Sequence, residues 1–372
     1  MPEWSRIVNT TIAEYIKGET PNVLRNRKLT ALMREKGRIT YNHSGHTLDW
    51  KVRYKRAPLF GFADADTLTF SRRNRWKTAT LPWRGYASTD SMTKKERLMN
   101  KSVEAIVNIY SNISKLLLED IEDNFGDEFY IDGNAAGNTK RMHGVESFLA
   151  DDGTNTVHIT TGAARTANAA DRVAVPSDTY AGLSTALANY GGTWTGSWPD
   201  GSGDAHYDFW SPILASTDST DYGAATDTWQ GQAELLMRYA IIRSQKNKSR
   251  RGQLDMVLLN NDWYEDFLNL IDSKERFLSR PGRNEGSLAK LGFTDTVNYD
   301  GVDVTWEFGV PANVGYGFNV DEMELCSLQG QLFVPEGPDY DIASQSWRFS
   351  IDMYGNLKCN PRSFVKFDDS YV

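Results

Sequence analysis

The sequence is short of the features that mark several large protein classes. Only two of its 372 residues are cysteine, Cys326 and Cys359, too few for a disulfide framework. They could pair if close in space, but a reducing compartment is the simpler reading. No apolar run approaches the twenty residues that a membrane-spanning helix needs, so no membrane partner is expected. The opening residues, MPEWSRIVNTT, hold neither an apolar core nor a small-residue cleavage pattern, and secretion by a signal peptide is not expected. No period of 20–50 residues repeats, which excludes a solenoid or propeller.

Catalytic and ligand-binding signatures are equally scarce. The chain has five histidines. His43 and His46 have helical ligand spacing but lie in the turn-like NHSGH, with no cysteine pair or carboxylate cluster nearby in sequence to complete a tetrahedral set, so no metal site is expected. GNAAGNTKR (133–141) has the glycines of a phosphate loop, but no lysine follows the second glycine and no buried strand leads in, so it reads as a loop. Asp64 and Asp66 fall at a solvent-flooded hairpin tip, without the shielding that general acid catalysis needs. Trp194, Trp198 and Trp210 could stack on sugars, although packing on neighbouring loops is the simpler reading. No enzyme activity and no cofactor are expected.

What the sequence does have is charge separated along the chain. The formal charge is −8, with 24% charged and 40% hydrophobic residues, ordinary for a globular protein. Yet Asp49 to Arg84 holds nine Lys/Arg against three Asp, and Leu117 to Asp132 holds seven acids and no base. Such asymmetry suggests that one segment meets the other, or a polyanion.

The basic part begins TLDWKVRYKR (47–56), with Leu, Trp, Val and Tyr alternating with Asp and bases, the period of a strand with one apolar face. A tip around APLFGFADAD and a return through TLTFSRRNRWKTATLPWRGY complete a long hairpin within 38–90. Its arms would reach about 35 Å or more at ~3.3 Å per residue. A hairpin of that length needs a surface to lie on. Before it, Leu24, Leu29, Leu32 and Met33 predict a short helix ending at Gly37. After it, Thr93 and Glu96 have capping-box spacing. Apolar residues then recur from Met99 to Phe125 in steps of three or four, giving a helix of roughly 45–50 Å that stops at Gly126. Its charges oppose its own dipole, with Lys94 and Lys95 at the start and Glu119, Asp120, Glu122 and Asp123 at the end. Local helix stability did not select them. Beyond a loop-rich stretch to about 228, the pattern predicts a helix at 229–246, a buried strand at 254–260 and a helix at 262–272 capped by Asp262. An Asp300-Gly301 hairpin and further alternating strand follow.

This order of parts, with RNRWKTATLPWRGYASTDSMTKKE (74–96 and the preceding Arg73), FGDEFYIDGNAAGN (125–138) and QLFVPEGPDYDIASQSWRFSIDMYGNLKCNPRSFVKF (331–367), resembles tailed-phage major capsid proteins of the Hong Kong 97 type. The resemblance spans the whole chain. It implies an α+β fold with an N-terminal arm (1–37), an extended hairpin loop (38–90), a peripheral domain with its spine helix (91–132), an axial domain with a loop-rich insertion (133–329) and return strands (330–372). It also implies a homo-oligomer of hexamers and pentamers in the icosahedral head of a dsDNA virion, built in the host cytoplasm. A separate scaffolding protein and a portal would assist, packaged dsDNA would be touched weakly and non-specifically, and a decoration protein is compatible. Some members cross-link a loop lysine to a neighbour's asparagine. Lys51, Lys55 and Lys77, with Asn356 or Asn360, are of the right types, but nothing selects a pair.

On this reading the basic residues Lys51, Arg53, Lys55, Arg56, Arg72, Arg73, Arg75 and Lys77 would contact the acidic spine end of the next subunit, at Glu119, Asp120, Glu122 and Asp123. The apolar Trp and Tyr face would cover that neighbour. An encapsulin-like compartment is the nearest alternative. A nucleic-acid-binding module using the basic hairpin is one from a different class, as is a sugar-binding protein using the Trp-rich loops.

Overall fold

Thr93 and Glu96 satisfy one another's backbone donors. The Thr93 N–H donates to Glu96 Oε2 at 2.9 Å, and the Glu96 N–H donates to Thr93 Oγ1 at 3.3 Å, so two donors at a helix start are paired. The computed structural model in which this capping box is seen describes residues 27–53, 59–99 except 65, 69 and 73, 113, 116–118, 120–121, 124–149, 157–160, 163–166, 179–185, 210, 212–216, 228–246, 254–272 and 295–368. No helix among the described residues is long and apolar enough to cross a membrane.

The capped helix, α2 (Lys94–Met99), is followed by helical residues at 113, 116–118, 120–121 and 124–128, and then by the single turn α3 (Glu146–Leu149). Residues 100–112 of the expected spine lie outside the described residues. The helix does not stop at Gly126. A Cβ at that position would stand 2.4 Å from Arg27 Nε, so this glycine gives room to a side chain from the start of α1 (Lys28–Glu35). Close approach, not termination, is what it serves. In α1 the expected Leu29, Leu32 and Met33 are buried, and Gly37 sits just beyond at φ +64°; Leu24 lies outside the described residues.

Two sheets carry most of the rest. In the first, β1 (Ile39–His43) runs parallel to β10 (Met323–Leu328), which pairs antiparallel with the long β12 (Ser346–Cys359). β12 also pairs with β11 (Val334–Asp341) and with β4 (Arg84–Thr93). Ile39–His43 and Arg84–Thr93, read from sequence as parts of the hairpin, therefore belong to this sheet. The hairpin proper is β2 (Thr47–Arg53) with β3 (Trp76–Pro82).

The second sheet has the order β7 (Val297–Tyr299), β8 (Val302–Trp306), β6 (Met256–Leu259), β9 (Val314–Phe318), β13 (Val365–Asp368), β5 (Ile213–Ser216). All four residues of β6 are buried, as its continuous apolar run requires. α4 (Trp229–Lys246) and α5 (Asn261–Asp272) cover one face, with Trp229 and Trp263 stacked at 4.1 Å. The turn between β7 and β8 has Asp300 and Gly301 both at positive φ, the two-residue hairpin geometry expected of Asp-Gly. The cap of α5 differs from expectation: Asn260 Oδ1 accepts from the Asp262 N–H at 3.1 Å.

A polar latch joins the two sheets through α1. The Leu29 N–H donates to Glu307 Oε2 at 3.2 Å, and Lys28 Nζ donates to Thr305 Oγ1 at 2.7 Å and to the Trp306 carbonyl at 2.9 Å. Burial pushes the Glu307 carboxyl up and the Lys28 amine down, so each resists ionisation. Their hydrogen bonds are what keep two enclosed polar groups acceptable.

Candidate inter-subunit contact site

The hairpin divides into a root folded on its own chain and a tip that no other described residue covers. In β2 the burial alternates as the sequence implies, with Leu48 buried, Trp50 and Val52 half-buried, and Asp49, Lys51 and Arg53 exposed. Leu48 lies opposite Leu81 and Trp50 opposite Ala79. Leu48, Ala79 and Leu81 are part of the main core. The Trp50 ring stands 6.4 Å from both Tyr180 and Trp210, and the Thr80 N–H donates to the Ala181 carbonyl at 2.9 Å.

This corrects one expectation. The apolar face of residues 48–52, expected to cover a neighbour, packs on the same chain, with Trp50 against Tyr180 and Trp210. It also removes Trp210 as a sugar platform, since it is buried in that stack; Trp194 and Trp198 lie outside the described residues.

Beyond the root the picture reverses. Leu59 is 98% exposed and Phe70 90%, and Phe60, Phe62, Leu68 and Trp76 are exposed as well. Asp66 closes the tip by accepting from the Ala63 N–H at 2.8 Å, so that carboxylate is used as a turn cap. Single exposed apolar residues are ordinary, but a contiguous group of large ones marks an interaction surface. The sequence pattern points to basic residues and to the Trp and Tyr face of the arms as contacts. These tip residues lie outside that expectation, although LFGF in a turn region is a readable signal.

The basic residues do not form one face. Lys51 and Arg53 share a face with Thr78 and Trp76, their cross-strand partners, whereas Lys77 lies opposite Val52 on the other face. Arg72 and Lys77 are exposed and Arg75 half-buried. Lys55, Arg56 and Arg73 lie outside the described residues. Of the acidic set, Asp120 is exposed on the helix, and Glu119, Glu122 and Asp123 lie outside the described residues.

Asp120 rims a cleft of about 170 Å³ between the helix and the first sheet, floored by Ile121, Phe125, Phe333, Ile351 and Met353. At its inner end Glu128 is held by Arg141 and accepts from the Tyr86 hydroxyl at 2.7 Å. Burial, with Glu128 beside it, raises the Tyr86 pKa, so the hydroxyl stays protonated and donates. Asp127, next to it in sequence, is 3.5 Å from Arg27. Thus two acids of the helix end have partners within the subunit.

The remaining candidates resolve as structure. Cys326 and Cys359 are free and buried. On β10 and β12 Cys359 faces Met323 while Cys326 faces Asn356, a three-residue offset too long to bridge. Asn356 is fully buried and donates to the Pro82 carbonyl at 2.8 Å, which leaves it unavailable to a lysine of another subunit.

No protein-family model matches the chain, and no curated protein matches it. Among solved structures, the chain superposes on the capsid asymmetric unit of cyanophage A-1(L) with a TM-score of 0.55, covering 89% of both chains at 14% identity. The chain has a phage capsid-protein fold. The capsid protein of a native GTA particle (TM-score 0.49, 11% identity, 91% of this chain and 90% of that one) and that of cyanophage P-SCSP1u (0.47, 12%, 89% and 85%) are less similar. The fold assignment rests on the A-1(L) comparison. It is the mixed helix-and-strand Hong Kong 97-type fold that the sequence resembles.

Proposed function

We propose that the chain is the major capsid subunit of a tailed dsDNA phage, a structural and non-catalytic protein that assembles as hexamers and pentamers into an icosahedral head. The observation that carries this is a capsid fold over nearly the whole chain joined to a hairpin whose large apolar tip stands exposed, with no cover among the described residues. Another copy supplies that cover. The tip's Leu59, Phe60, Phe62 and Phe70 bury against a neighbour, each contributing roughly 1.5–3 kcal/mol when fully enclosed. Arg72, Arg73 and Arg75 meet acids near the neighbour's helix end. Exposed ion pairs contribute only about 0–1 kcal/mol each, so the charges act mainly on orientation and against wrong docking. Scaffolding protein, portal and packaged DNA are further partners on this reading, and the virion is its location.

The test is assembly itself. Purified protein should form closed shells visible by negative-stain microscopy, and the triple reversal of Arg72, Arg73 and Arg75 to Glu should shift sedimentation from particles to free subunits or capsomers. Unimpaired particle formation by that variant would remove the charge-guided part of the proposal.

A further inference from the structure

His43, Glu324 and Cys326 are remote in sequence, yet one ligand atom of each falls within 4.8 Å of the other two. The backbone explains the convergence. Glu324 and Cys326 are two residues apart on β10, so both side chains leave the same face of the sheet. Thr40 on β1 lies opposite Cys326, and the register then slips before His43 reaches Leu328. In an unbroken strand His43, three residues after Thr40, would point to the other face. The extra residue returns it to the face of Thr40 and Cys326, which is how a bulge re-aims a side chain.

The polar partners are ordered around the same point. His43 Nε2 is 4.0 Å from Glu324 Oε1, while Lys358 Nζ donates to Glu324 Oε2 at 2.8 Å and so holds the carboxylate with its first oxygen toward the imidazole. The Thr40 hydroxyl is 2.8 Å from His43 Nε2. His43 and Glu324 are half-buried and Cys326 is enclosed, so the cluster opens to solvent on one side.

We propose that His43, Glu324 and Cys326 bind one transition-metal ion of the Zn²⁺ class. An imidazole nitrogen, a thiolate and a carboxylate oxygen are its three protein ligands, and a water or the Thr40 hydroxyl takes the fourth position. The donor set selects the metal class, because Mg²⁺ and Ca²⁺ take oxygen ligands while nitrogen with sulfur suits Zn²⁺ and Co²⁺. Tetrahedral bonds of about 2.0–2.3 Å place ligand atoms roughly 3.5 Å apart, so small side-chain rotations complete the site. Binding replaces the Cys326 thiol proton, which leaves to solvent, and breaks the Thr40–His43 hydrogen bond. Lys358 stays outside the ligand set and orients the carboxylate. The ion ties β1 to β10 directly below the hairpin root, within a single chain, so the inference stands apart from the capsid reading.

The experiment is titration of EDTA-stripped full-length protein with Co²⁺ alone. One Co²⁺ per chain is expected, with a thiolate-to-cobalt charge-transfer band that Cys326→Ser abolishes and Cys359→Ser leaves intact. Zn²⁺ should erase the band by competition and raise the melting temperature of the unmodified protein. Because Cys326 is enclosed, His43→Ala at a half-exposed position provides a second arm, with affinity for Co²⁺ expected to fall at least about tenfold. Absence of the band in the unmodified protein, or a band and affinity unchanged in His43→Ala, would overturn the site.

Discussion

His143 is enclosed where the hairpin root meets the first sheet, and its tautomer follows from one neighbour. The two N–H groups of Asn356 go to the Pro82 carbonyl at 2.8 Å and to His143 Nδ1 at 3.0 Å. Nδ1 therefore accepts, and the neutral ring carries its proton on Nε2. Burial, helped by the Arg84 charge, lowers the His143 pKa from 6.5 to about 4. The unfolded chain thus takes up this proton first as pH falls, and the fold loses stability between about pH 6.5 and about pH 4. The full shift corresponds to about 3 kcal/mol. Urea midpoints across that window should decline in the unmodified protein and decline less in His143→Gln; equal slopes would assign the acid sensitivity to another group. Gly126 gives a second test at this scale. A valine there would push Arg27 away from Asp127, at about 1 kcal/mol or more, and most of that penalty should vanish in an Arg27→Ala background if the collision is the cause. The sequence marked Gly126 as a helix stop because stop signals are local, whereas Arg27 arrives from a hundred residues earlier.

At the level of elements, the hairpin is two objects with different energetics. Trp50 at the root lies against Tyr180 and Trp210, so Trp50→Ala should lower the stability of the isolated subunit by about 3 kcal/mol. Phe60→Ser with Phe62→Ser at the tip should leave that stability within about 0.5 kcal/mol yet impair particle formation. Denaturation of the free subunit and sedimentation of the assembly reaction separate the two; loss of subunit stability from the tip change would mean the tip is covered by its own chain. What could be read in advance follows the range of the signal. The capping box, the α4 and α5 periodicities and the Asp300-Gly301 turn depend on residues a few positions apart, and the structure shows each. The membership of β1 and β4 in the first sheet depends on pairing with β10 and β12 more than 200 residues away, and alternation alone says nothing about a strand's partner. The root's cover is illegible for the same reason: Tyr180 and Trp210 are remote in sequence, in a stretch with little periodicity.

For the molecule as a whole, the proposed shell and a nucleic-acid-binding role differ in their response to salt. Contacts dominated by the apolar tip should survive moderate ionic strength, while phosphate binding by the basic residues would weaken steeply and log-linearly with salt. Light scattering of assembled particles in rising NaCl is the measurement; particle loss parallel to loss of DNA binding would favour the nucleic-acid reading. The −8 charge of the chain argues for the shell over the nucleic-acid reading, since it opposes retention of a polyanion.

If copies associate as proposed, the root of the hairpin meets the neighbour already formed. Its paired residues, Thr47–Arg53 and Trp76–Pro82, already rest on their own subunit. Fixing a backbone residue costs about 1–2 kcal/mol of entropy, and for these positions that loss is incurred during folding, before any encounter. On the proposed assembly, a subunit approaching a growing edge presents a root preset in direction, and that part of the ordering cost is not charged to association. Closure can be rapid and reversible enough for misplaced copies to leave, while the final geometry stays the same at every position.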